Sequence, residues 1–341
     1  MERIETDILI VGAGLAGAST AYHLARTTDL RVILVDQEAT PGVHSSGRNA
    51  AIIRQYADDP AWRSLLTEGA AFLRGGELAS YERRGLMLLG LGDDDVTPRF
   101  PRARGTGAWR PDDGTVDVAA LLQAYLAGQD VRFETKVFGW SRVGDGLRVE
   151  TDHGDIRCCL LVNAAGPWAG TLGELPLTPM NRHLFVTGPM DWVDAGWPCV
   201  WDGPRGLYFR PESGGLLLCC CDETPAEPGD YREDLAVLER LAGNVSDQQP
   251  GLGELAIRRQ WVGQRTFAPD RAAVIGPDPR NDRVFHVAGL GGHGVTASYA
   301  VGRLAAKMIC GRDAESFDAY SPSRLLKQDA HSRRTLHADC R

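Results

Sequence analysis

Short unbroken apolar runs alternate with glycine-rich turns through the first part of the chain. Asp7 to Val11 (DILIV) reads as a strand buried on both faces. The turn GAGLAG passes it to ASTAYHLAR, whose apolar positions recur at helical spacing, and a second apolar run, RVILVD, ends at Asp36. Further on, ETKVFGW predicts a third parallel strand. LRVETDHGDIRCCLLVNAAG reads as a strand, a turn and an apolar strand running into small residues. GTVDVAALLQAYLAG and Tyr299 to Ile309 have helical spacing. RHLFVTGPM, GLYFRP and GLLLCCC are short strands, the last two joined by the turn ESGG.

This order predicts an α/β protein with a Rossmann-like domain and an antiparallel-sheet domain. The expected division assigns 1–77, 113–177 and 258–325 to the first and 78–112 and 178–257 to the second, with 326–341 a polar tail. Composition changes little: 43% of the 341 residues are hydrophobic and 24% charged, ordinary globular usage. The net charge of −8 argues against nucleic acid or an anionic membrane surface as partner. The start MERIETD lacks the basic and apolar segments of a signal peptide, and no run of 18 apolar residues occurs, so a cytoplasmic protein without a transmembrane segment is expected. The runs Cys158-Cys159 and Cys219-Cys220-Cys221 put neighbouring side chains on opposite strand faces, which suits buried strand residues better than disulfides or a metal site.

The first glycine loop carries the clearest chemistry. Gly12 permits a tight turn, Gly14 lets a pyrophosphate approach, and Gly17 lets helix pack on strand. The free N–H groups of the helix start attract phosphate. Asp36, 19 residues after Gly17 and followed by Gln37, stands where an acid meets ribose hydroxyls. This constellation binds a dinucleotide but does not choose between FAD and NAD(P). The next segment, TPGVHSSGRNAAIIRQ, predicts a loop leading into a second helix capped by Ser45 and Ser46. Gly47, Arg48 and Asn49 offer flexible backbone, a phosphate-pairing cation and an amide, and Ala50-Ala51 admit a flat ring. Ala164, Ala165 and Gly166 at a strand's carboxyl end imply another close approach, and Val137 is placed to meet adenine through its backbone.

Five segments, VGAGLAGAST, HSSGRNAAI, VNAAGPWA, WVGQRTFAPDRAAVIG and GLGGHGVTAS, occur in the order found in the D-amino acid oxidase superfamily of FAD enzymes. The chain resembles that superfamily from about residue 5 to 310, and within it the bacterial D-arginine dehydrogenase group. The resemblance implies FAD contacts at Gly12, Gly14, Gly17, Asp36, Gln37, Ser45, Gly47, Arg48, Asn49, Ala50, Ala51, Val137, Ala165 and Gly166. It extends them to the second glycine loop: Gly291, Gly292, Gly294, Val295 and Thr296. There a helix from about Val295 would turn its N–H groups to the flavin edge that gains negative charge on reduction. In sarcosine oxidases a cysteine tethers the flavin; the comparable position here is Gly263, which implies noncovalent FAD.

The resemblance also implies a substrate-carboxylate pair, Arg265 and Tyr208, with His293 beside the flavin; Arg182 and Arg259 are alternative candidates for an anion contact, read first as structural arginines. An arginine fork suits that task because two parallel N–H···O bonds fix the plane presented to the ring. The region around GLGDDDVTPRFPRARGTGAWRP is shorter than in relatives. Leu86 stands where the D-arginine enzymes have a glutamate, and Ile52 roughly where they have a histidine. A leucine cannot balance a buried guanidinium, so the expected substrate is a small neutral, non-basic D-amino acid losing hydride from Cα. Other readings are glycine, a secondary amine, an imino acid or a 2-hydroxy acid as substrate, or a flavoprotein subunit in biosynthetic tailoring. Oxygen or a quinone would take the electrons, and an oligomer or partner subunit is compatible with the sequence.

Overall fold

The computed structural model describes residues 4–203, 205–311 and 318–325, so the tail expected at 326–341 lies outside the described residues. Strand β1 (Ile4–Val11), helix α1 (Leu15–Leu24) and strand β2 (Val32–Val35) open the chain. β1 pairs in parallel with β2 on one side and with Gly154–Asn163 on the other. β2 pairs in parallel with Asp130–Arg132, and Gly154–Asn163 with Asn281–Ala288. The result is the predicted Rossmann-like sheet. Its strands are apolar on both faces because helices cover one side and a hairpin meander the other.

The third parallel strand is not ETKVFGW. That role falls to the three residues Asp130–Arg132, while Val137–Val143 runs antiparallel to Gly146–Thr151, which in turn pairs antiparallel with Gly154–Asn163. Val137–Val143 instead forms the outer strand of the meander, with Phe138 61% exposed. The helix expected to start near Ser45 also fails to form. Residues 41–49 are turns, Ala51 has φ +56°, and Ile52–Ile53 is a short strand. The helix begins at Pro60, where the Asp59 carboxylate accepts the Ala61 amide and proline fills the first position.

The second sheet runs from Thr224–Pro225 through Thr178–Thr187, Gly215–Cys219, Leu207–Glu212, Cys199–Asp202 and Leu86–Asp95 to Thr106–Arg110. Every pairing is antiparallel except that of Cys199–Asp202 with Leu86–Asp95. Ile257–Phe267 crosses the boundary expected at 258 and pairs with nearly the whole of Thr178–Thr187. The ESGG turn has Ser213 and Gly214 at φ +51° and +78°, the twist a two-residue hairpin needs. Of the cysteine runs, Cys158, Cys219 and Cys220 are buried, whereas Cys159 is exposed and Cys221 lies past the strand end at φ +53°.

The helix Gly294–Ile309 starts within one residue of the Val295 expected from the resemblance, five residues before the amphipathic stretch, and packs against both α1 and Pro60–Arg74. Between these helices His23 is buried at 8% exposure, its ring edge-on to Tyr299. Burial, helped by Arg303, pulls its pKa from 6.5 to about 4. The folded protein therefore keeps His23 neutral while the unfolded chain takes up a proton below about 6.5. Stability is lost as pH falls from about 6.5 toward 4. A His23→Phe variant is expected to show a shallower fall of thermal midpoint over that interval; an unchanged slope would remove His23 as its source.

Candidate active site

Both glycine loops and the NAAG segment meet at the carboxyl ends of the parallel strands. At Gly12 φ is +109° and an added Cβ would lie 2.4 Å from the Ala164 carbonyl oxygen; at Gly17 it would lie 2.0 Å from the Gly12 oxygen. These contacts show why both positions lack a side chain. α1 starts after Gly14 without a cap from its own sequence; Ser46 supplies one, its Oγ accepting the Leu15 amide at 2.9 Å. Asp36 accepts the Ala13 amide at 2.6 Å and the Glu38 amide at 2.9 Å. Burial pushes its carboxyl above the ordinary range, against those bonds.

Between these groups runs a cavity of about 650 Å³, walled by Gly12, Gly14, Asp36, Gln37, Ser45, Ser46, Val137, Ala165 and Gly166. Its walls include His44, Glu38 and Trp168, which sequence reasoning missed. His44 Nε2 lies 2.8 Å from Glu38 Oε1, and its ring meets Trp168 edge-on. The only sequence signal for His44 was its place just before the serine pair.

Arg48 does not face this cavity. Its Nε donates to the Val43 carbonyl and Nη1 to the Val262 carbonyl, and its guanidinium lies 4.4 Å from the centre of the Tyr231 ring. Through these contacts Arg48 braces the loop, and it is not among the lining residues of the cavity. Gly47 likewise serves the loop itself, with an added Cβ 2.2 Å from the Gly42 oxygen. Asn49 ties the loop by donating to the Ser46 carbonyl and accepting the Ala51 amide.

An inner cavity of about 150 Å³ continues from the same Gly14, Ser45, Ser46, Ala164 and Gly166 walls. It is lined by Asn49, Ala50, Ala51 and Ile52 and by Gly291, Gly292, Gly294 and Val295. Trp201, Tyr208, Arg182 and Arg265 also stand in its walls. Thr296 and His293 are turned elsewhere. The Thr296 hydroxyl accepts the Arg54 amide at 3.1 Å. The His293 ring packs 4.4 Å from that of Trp62, and burial with nearby Arg54 holds its pKa down at about 3. Arg259 is exposed beside Trp261 and does not reach the cavity. Leu86 is fully buried among Leu88, Cys199 and Ile52 and does not line the cavity.

Arg265 is 8% exposed and its Nη1 donates to the carbonyls of Arg48 and Gln264, both at 3.3 Å. Tyr208 stacks on Trp201 with ring centres 4.5 Å apart. Burial and the Cys219 sulfur push the Tyr208 phenol well above 10, against the pull of Arg182 and Arg265, so it remains a hydroxyl donor at neutral pH. Among the described residues, the titratable groups lining this inner cavity are Arg182, Arg265 and Tyr208. It has cations and a phenol, but no carboxylate or histidine.

An elongated cavity over a glycine loop, continuing past small residues to a second helix start, is the shape of a site for a flavin dinucleotide. Gly12 and Gly14 both line this cavity with bare backbone, and at Gly14 an added Cβ would meet Ser46 alone among protein groups, which fits a pyrophosphate passing close to the loop. The chain matches the FAD dependent oxidoreductase family over residues 7–308. It belongs to that family, and its cofactor is FAD. Glycine oxidase of Bacillus licheniformis is 26% identical over 355 residues, spanning 89% of this chain and 93% of that one. The mitochondrial pyruvate dehydrogenase phosphatase regulatory subunit of Mus musculus is 24% identical across 92% of this chain, which spans only 42% of the mouse protein. Among solved structures, L-proline dehydrogenase from P. horikoshii superposes with a TM-score of 0.86 at 21% identity, covering 96% of this chain and 99% of that one. That likeness shows the fold. Among the described residues no helix is long and apolar enough to cross a membrane.

Proposed function

We propose that this FAD-dependent oxidoreductase oxidises the Cα–N bond of a small, non-basic amino acid of the D hand to the imino acid. The observation that carries this reading is the buried Arg265 fork beside Tyr208 in the wall of the inner cavity. Bound FAD supplies the hydride acceptor. Arg265 and the Tyr208 hydroxyl hold the substrate carboxylate and so fix which face of Cα turns toward the cofactor. The amides of Gly294 and Val295, at the start of the last long helix, favour negative charge by roughly 0.3–1 kcal/mol. With no carboxylate or histidine among the described lining residues, the substrate amine must arrive unprotonated.

The D hand rests on the motif resemblance, and the exclusion of basic substrates rests on the buried guanidiniums rather than on Leu86. A second reading, oxidation of glycine or a secondary amine, is favoured by the match to glycine oxidase along 93% of that protein. Anaerobic titration of the yellow protein with D- and L-amino acids, glycine, sarcosine, proline and 2-hydroxy acids tests both. D-amino acids are expected to bleach the flavin, faster as pH rises toward the substrate's amine pKa. Bleaching by glycine or sarcosine alone would replace the first reading with the second. Bleaching by no amine would instead support a redox or tailoring subunit. Oxygen consumption during turnover separates oxygen from a quinone as acceptor.

A further inference from the structure

We infer that the substrate carries two anionic groups, the second received by Arg182; this rests on the reading of Arg265 as the anchor for the first. Arg182 and Arg265 lie on paired antiparallel strands, Arg182 opposite Gly263 and Arg265 opposite Met180. That register makes them diagonal neighbours on one face, roughly 7–8 Å apart along the backbone. Both line the inner cavity, and both are nearly buried, at 9% and 8% exposure.

Buried guanidiniums ordinarily have matched acceptors. Here the matching is incomplete. Arg182 Nη2 donates to Glu223 Oε1 at 2.8 Å, but the same carboxylate also takes Arg271 Nη2 at 2.7 and 2.8 Å. Arg182 Nε is buried with no partner. Among the described residues Arg265 is hydrogen-bonded to the two carbonyls alone, and a third cation, Arg54, lies 4.3 Å from the Trp201 ring centre, its charge favoured by Asp113 and Asp58 without a direct ion pair. Among the other nearby anions, Asp222 is held by the amide and ring of His183, Asp113 and Asp58 act on Arg54, and Cys219 lies beside Arg182. Burial raises the Cys219 thiol, but the Cys221 contact and the Arg182 charge draw it down to about 6. With Glu223 shared and Asp222 held by His183, neither Arg182 nor Arg265 has a carboxylate of its own among the described residues of the cavity wall. A ligand with one carboxylate satisfies Arg265 and leaves Arg182 Nε unmatched. A short dicarboxylate spans both, which assigns the site to amines or amino acids with a second carboxylate.

Calorimetric titration of the FAD-loaded protein with unreactive acids separates the possibilities without relying on turnover. Succinate and glutarate are compared with butyrate and valerate, which match them in chain length. The dicarboxylates are expected to bind at least tenfold more tightly. Arg182→Met should erase that advantage while leaving the monocarboxylate Kd within twofold and the flavin spectrum unchanged. Equal binding of the two series by the unaltered protein overturns the second anionic group and leaves the Arg265 anchor standing. Equal weakening of both series in Arg182→Met also overturns it, because Arg182 would then serve the same carboxylate as Arg265. If neither series binds, both the anchor and the second group are overturned.

Discussion

Gly12→Ala is expected to give a protein that folds but is isolated nearly colourless. Two costs act together at this residue. Its φ of +109° is open to glycine and strained for alanine, and the new methyl would stand 2.4 Å from the Ala164 carbonyl oxygen and 3.2 Å from the Ala165 Cα. Relief requires moving apart the ends of β1 and Gly154–Asn163, which carry the first glycine loop and the Ala164–Gly166 segment. Both line the cofactor cavity. A loss of about 3 kcal/mol, roughly a hundredfold in FAD affinity, is a conservative expectation. Flavin absorbance per mole of purified protein, followed by reconstitution with added FAD, measures it. Gly14→Ala separates the two costs: its φ of −76° is open to alanine and its Cβ would meet Ser46 alone among protein groups, so flavin loss there reports a methyl standing in the cavity rather than backbone strain. Full flavin content in Gly12→Ala would mean that the two loops do not hold the cofactor together.

Arg265→Lys keeps the charge and loses the fork, and the expected result is a collapse of carboxylate binding with flavin content preserved. A lysine presents one compact ammonium in place of a planar pair of donors, and it cannot also serve the Arg48 and Gln264 carbonyls that orient Arg265. Breaking a buried charge-assisted contact of this kind costs about 2–4 kcal/mol, or roughly 30- to 1,000-fold in Kd. Titration with an unreactive carboxylate, followed through the flavin spectrum, reads the change directly. A shift smaller than threefold would move the carboxylate anchor elsewhere in the cavity.

The first glycine loop was legible in the sequence because its determinants are local. Strand, turn, helix and second strand each announce themselves by period, and the distances at Gly12 and Gly17 match the roles assigned from spacing alone. Val137 shows the limit: ETKVFGW has the length of a strand, but it folds back on its neighbour Gly146–Thr151, while the place beside β2 goes to the three residues Asp130–Arg132, which carry no strand pattern of their own. Arg48 shows another. A loop has no period, so nothing in SSGRN says that the guanidinium turns toward Tyr231 and away from the cofactor cavity. Arg182 was visible only as one arginine among several. Its importance comes from a cross-strand register with Ile257–Phe267 and from a carboxylate shared with Arg271, both products of the tertiary structure.

Gly263 carries a consequence for how this lineage can change. Sarcosine oxidases tether their flavin through a cysteine at what the sequence resemblance marks as this position. Here a Cβ at Gly263 would sit 2.2 Å from the Arg48 carbonyl oxygen and 3.0 Å from Arg265 Nη1. The first atom of any side chain would therefore strike the carbonyl that orients Arg265. One codon change cannot introduce the tether without disturbing recognition in the same step, and the loop around Arg48 would have to be rebuilt first. The evolutionary path between free and covalently held flavin passes, in this chain, through a variant expected to bind its substrate poorly.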